Sequence, residues 1–251
     1  MNLRNDPDAL SIEHGERFFF LASWRFPRGD KFAALWNAAI NARASVANFL
    51  DRLNSVRANA RLSDAARADD EKDAARKALA ELGDQQRALN RELERLDTER
   101  LKLASVAPAD AAQAVIDVAL AQHFRGLTGH ERDQLAASMV SGAEPRMVDA
   151  VLRLPAVLFG ITPELRAVIE SNAIEARAPE AVRDLQMRGE AARTTQMVLS
   201  RCVALVVEHS ALSLEDRMVG LGAEAWQPHV RDGAPAAMAA LARRYGVEQA
   251  A

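Results

Sequence analysis

Residues 79–103 read Leu-Ala-Glu-Leu-Gly-Asp-Gln-Gln-Arg-Ala-Leu-Asn-Arg-Glu-Leu-Glu-Arg-Leu-Asp-Thr-Glu-Arg-Leu-Lys-Leu. Leu82, Leu89, Leu96 and Leu103 recur every seven residues, and Leu79, Gln86, Leu93 and Arg100 each stand three residues before one of them. Taken as the d and a positions of a heptad, they predict a helix that buries a narrow seam. Gln86 and Arg100 at a positions keep that seam from being uniformly apolar. Nothing in the stretch carries chemistry; it decides the architecture.

Working backward, Phe32, Trp36, Ala39, Arg43, Val46, Leu50, Leu53 and Arg57 follow at alternating steps of four and three, so residues 31–62 predict a second seam-forming helix, capped by Asp30. Between the two lies the polar run 63–70. No proline interrupts residues 28–107, and Gly83 is the only glycine between Gly29 and Gly126. One continuous helix of about 75 residues, longer than about 110 Å, would satisfy this. So would a turn at Leu82-Gly83-Asp84, although the heptad runs through it unbroken. An antiparallel hairpin turning near residue 66 fits best, because Pro27 and Pro108 then bracket its open end. In that register, positions whose numbers sum to about 131 face each other: Leu82 with Phe49, Leu89 with Ala42, and Leu96 with Leu35 or Trp36.

Ahead of the hairpin, Asp6-Pro7-Asp8 predicts a short helix stopped by Gly15. Residues 17–26 then form an extended segment or short strand. Seven of the twelve aromatic residues lie between Phe18 and Trp36. Phe18 and Phe20 point to one face of a strand and Phe19 to the other, so both faces need cover. The segment is expected either to plug the base of the helical core or to dock on another chain. Phe18, Phe19, Phe20, Trp24 and Phe26, with Leu82, Leu89 and Leu96 of the seam, are the candidate interaction residues. Arg28-Gly29-Asp30 is read as a chance triplet.

After Pro108 the texture becomes that of a bundle. Helices are expected at 109–125, from Thr128 to about Val140 behind a Thr-Gly-His-Glu capping box, from Glu144 through Leu154, from Thr162 to about Ala176, from Pro179 through Glu208, after an N-cap at Ser213, and at 234–245. Met197–Val207 is apolar almost all round and is placed at the centre of this bundle. The expected fold is all-α: a docking segment, 1–26; a long antiparallel coiled-coil hairpin, 30–106; and a helical bundle, 109–245.

Composition agrees with helices. Of 251 residues, 51 are alanine and nine proline, and aromatics make up 5%. Net charge is −3, and residues 51–102 carry twelve acids and twelve bases, which is the solvated flank of paired helices and not a nucleic-acid stripe. Arginine outnumbers lysine 28 to 4. A single cysteine, Cys202, excludes an internal disulfide and a multi-cysteine zinc site. The N-terminus lacks the pattern of a signal peptide and no apolar run approaches the ~20 residues that span a bilayer, so a soluble cytoplasmic protein is expected. His14, His123, His130, His209 and His229 share no metal-ligand spacing, and no phosphate loop, dinucleotide loop or nucleophile elbow is present. Arg183, Arg188, Arg193 and Arg201 along the long helix read as surface pairing with Asp184 and Glu190.

No catalytic, cofactor or metal residue follows from these patterns. The expectation is a non-enzymatic structural or assembly component, of the kind found in a phage or prophage particle, acting through helical surfaces as a homo-oligomer. The alternatives are a nucleic-acid-associated or regulatory protein using arginines on the bundle, and an enzyme with a helical active site of unfamiliar form.

Overall fold

The computed structural model describes residues 6–222. The helix expected at 234–245, and His229, lie outside the described residues. The fold is all-α apart from one two-stranded hairpin. The chain forms two compact units, one of residues up to Glu94 together with those from Met187, the other Arg95–Gln186. This division differs from the expected hairpin and bundle, because the apolar half of the long helix belongs with the N-terminal elements and not with the helices that follow Pro108.

The first unit begins with β1 (Ala9–His14) and β2 (Arg17–Ser23), paired antiparallel. The helix expected from Asp6 is therefore a strand. Asp6 does accept a backbone hydrogen bond two residues on, from Asp8 N at 3.0 Å, and its other oxygen accepts from Ser23 Oγ at 3.2 Å. That is an Asx turn closing the open end of the hairpin, the same side-chain chemistry an N-cap uses. Leu10 and Ile12 supply the period-2 burial of a strand, and Gly15 takes φ +58° in the two-residue loop, a conformation glycine adopts at no steric cost. The pairing shifts between Leu10↔Ala22 and Ser11↔Phe20, leaving Leu21 as an extra residue. This bulge puts Leu21 and Ala22 both inside.

A 3-10 turn at Asp30–Phe32 leads into α1 (Ala33–Ala58), and α2 runs Asp64–Ala104. The chain reverses at 59–63, earlier than residue 66. Asn41 bonds Gln85, Arg57 bonds Glu71 and Arg52 lies 3.9 Å from Asp70, so α1 and the first part of α2 are antiparallel with facing positions on lower sums than 131. The register is set by the shorter turn, in which Asn59 and Ser63 side chains bond the backbone of Arg61 and Ala66. Phe49 lines the same cleft as Ala74, Lys77 and Ala78 of α2. Leu79, Leu82 and Leu89 are buried in a core that also contains β1, β2, α1 and α8 (Pro179–His209) residues, so the heptad serves a multi-element core. From Met187 onward α8 contributes Ala191, Val198, Leu199, Cys202, Val203 and Val206 to it. At the a position Gln86, fully buried, exchanges two amide bonds with Gln196 (2.8 and 3.1 Å) and donates to Asn90 at 3.0 Å, which satisfies a polar group that would otherwise cost stability.

The last described helix, α9 (Leu214–Leu221), is capped by Ser213, whose hydroxyl accepts from Asp216 N at 3.1 Å while the Asp216 carboxylate accepts from Ser213 N and Oγ. Its end comes so close to α2 that a Cβ on Gly83 would sit 2.3 Å from the Leu221 carbonyl oxygen. Gly83 is thus the contact that admits α9, not a turn.

The second unit holds α3 (Ala111–Gly126), α4 (Gly129–Val140), α5 (Pro145–Arg153), α6 (Ala156–Phe159) and α7 (Pro163–Arg177) around Phe124, Met139, Met147, Val151, Phe159 and Ile169. The Thr128–Glu131 capping box and the Thr162 cap form as expected.

Two predictions follow from the close approach of α9. Gly189, inside α8 with open space around it, should accept alanine with a gain of about 0.5–1 kcal/mol, whereas Gly83→Ala should cost about 1–3 kcal/mol because α9 must move. Urea unfolding of both variants checks this; stabilisation by both would contradict the contact. Separately, the Arg76 guanidinium, 2.8 Å away, and the Ser213 hydroxyl hold the Asp216 carboxyl down at about 2. A carboxyl depressed in the folded state contributes stability above its ordinary value of 3.8 and loses it as pH falls towards 2. Asp216→Asn should therefore flatten the decline in melting temperature between those pH values; an unchanged decline would remove Asp216 as its source.

Candidate functional site

The residues singled out as interaction sites are largely engaged within the first unit. Trp24 is buried, its ring 5.3 Å from Phe26 and 5.2 Å from Trp36, and Phe26 stacks on Phe32. Phe19, half-buried, meets the edge of His209, whose Nδ1 lies 2.9 Å from the Leu205 carbonyl oxygen. Phe20 lies under the Arg201 guanidinium, which donates to the carbonyl oxygens of Phe20 and of the bulged Leu21 (3.3 and 2.6 Å). Phe18 is half-buried. The bulge and Arg201 supply much of the cover that a regular strand would need from elsewhere. Leu82 and Leu89 are core residues, and Leu96 is 8% exposed. Cys202 is fully buried, and burial pushes its thiol far above the ordinary range.

Between α1 and α2 lies an open cleft of about 450 Å³. Phe49, Ala74 and Ala78 form its apolar part, and Arg52, Lys77, Asp70, Asp73 and Glu81 its charged part. Both signs of charge line it, so it carries no field that selects one class of ligand. Among the described residues no helix is long and apolar enough to cross a membrane.

The second unit presents a different feature, which the sequence reading missed. The helix expected at 109–125 turns only part of its apolar residues inward. Asp117, Ala121 and Phe124 are buried, while Val115 is 71% exposed, Ile116 47% and Val118 43%. The cause is the carboxylate at the middle of the helix. Asp117, 1% exposed, accepts two hydrogen bonds from Arg153 Nη1 (3.0 and 2.8 Å) and one from Gln113 Nε2 (2.8 Å). Arg153 also donates to the Ala107 carbonyl oxygen at 3.1 Å, and lies beside Asp149, which in turn pairs with Arg177. A buried charge is tolerated only when paired and hydrogen-bonded, so the helix face carrying Asp117 must meet α5, and the opposite face is left to solvent. From Ala111 to Gln122 that outward face has no charged residue. The available signal was the acid itself, at i+4 from Gln113 and in the middle of an otherwise uncharged run.

Arg153→Met should cost about 3–5 kcal/mol by leaving the Asp117 carboxylate buried and unpaired, and Asp117→Leu in the same chain should recover most of that loss. Denaturant unfolding of the two single variants and the double variant checks it; additive losses would show that the pair does not orient α3.

No protein-family model, curated protein or solved structure matches this chain.

Proposed function

We propose that the protein is a non-enzymatic structural or assembly component that works as a homo-oligomer through helical surfaces. What carries the reading is apolar surface in the second unit: Val115 at 71%, Val157 at 73% and Leu101 at 69% exposure, with Ile116 and Val118 beside Val115. Apolar area removed from water is worth about 25 cal/mol per Å², so exposed apolar side chains such as these favour a state in which another surface covers them. The cores of such contacts are also depleted in charge, as the outward face of α3 is.

Light scattering at several protein concentrations tests this. The native mass should exceed that of one chain and rise with concentration to a plateau. A strict monomer at high concentration would contradict the reading.

A further inference from the structure

Resting on the assembly reading above, we propose that α3 is the contact between two copies of this chain, and that the two α3 helices pack antiparallel about a twofold axis near residue 117. Three observations carry this. First, Ala111, Ala112, Val115, Val118 and Ala119 are all exposed and recur at steps of three and four, so they form one apolar stripe, with Gln122 at its C-terminal end. Second, the stripe carries no charge. Apart from the paired Asp117 on the opposite face, α3 has no ionisable residue between Asp110 and His123. A face without charges does not repel its own copy, and it offers no opposite charge by which a different partner would be selected. Third, the ends are charged oppositely. Exposed Asp110 stands at the N-terminus, and exposed Arg125 at the C-terminus.

Orientation follows from the third observation. In a parallel pair the Asp110 ends would meet each other, as would the Arg125 ends. In an antiparallel pair each acidic end meets a basic end, and the two helix dipoles oppose. A twofold contact uses the same patch on both copies, so the stripe must be complementary to itself. About residue 117, Val115 of one copy lies against Ala119 of the other, and Ala112 against Gln122. Val115 thus meets an alanine, and the alanines permit close approach.

The test uses the full chain. Val115 is exposed, so Val115→Glu should leave the helical signal and melting temperature of the single chain intact. It should reduce the native mass to that of one chain at concentrations where the wild type is assembled. Orientation is read by oxidative cross-linking of Ala112→Cys and Gln122→Cys chains; the native thiol at Cys202 is buried and does not compete. A mixture of the two variants should link across copies, and either variant alone should not. Linking of each variant alone would overturn the antiparallel arrangement. An assembled Val115→Glu chain, with no cross-link in the mixture, would overturn α3 as the contact while leaving the assembly reading in place. A wild type that is monomeric at every concentration would overturn the assembly reading itself.

Discussion

The ion pair between Asp117 and Arg153 decides which way α3 faces. A carboxylate in an apolar interior has no alternative to a partner, because its desolvation costs several kcal/mol. Arg153 meets it through Nη1, which reaches both carboxylate oxygens, and Arg153 is itself fixed by the Ala107 carbonyl and by Asp149. Three valine and isoleucine side chains are turned outward as a result. Ala121 and Phe124 pack into the core of the unit on the same side of the helix. The polar pair and these apolar contacts together leave Val115, Ile116 and Val118 on the exposed side.

The excess of arginine finds a structural use of the same kind. Arg132 donates to the carbonyl oxygens of Arg125 and Leu127 where α3 ends, Arg166 to those of Leu152 and Leu154 where α5 ends, and Arg201 to those of Phe20 and Leu21 at the strand bulge. Carbonyls at helix ends and bulges lack intra-element partners, and a planar guanidinium reaches two at once. The short helix α5 is thereby closed by a side chain of α7.

How much of this was legible depends on whether local chemistry alone determines the outcome. The capping box at Thr128 and Glu131, the Thr162 cap and the proline starts at 145, 163 and 179 were readable because a cap acts within four residues. Asp6 was misread because an Asx turn and an N-cap use the same oxygen in the same way; the difference lies in Ser23 and Trp24, distant in sequence, which close the hairpin. The leucine heptad gave the helix but not its partners, since α8 and α9 pack on it from more than a hundred residues away, and Gly83 could be explained only by the Leu221 carbonyl beside it. The orientation of α3 was hidden for a related reason: the partner that buries Asp117 lies on α5.

Thiol accessibility along α3 tests the outward face and its covering together. A cysteine introduced by Val115→Cys should react with a maleimide quickly in dilute protein and progressively more slowly as concentration rises, while one introduced by Ala121→Cys should stay protected throughout, since Ala121 is 3% exposed. Equal reactivity at the two positions would mean that α3 does not face as described, and a rate at position 115 that ignores concentration would mean that no second copy covers it.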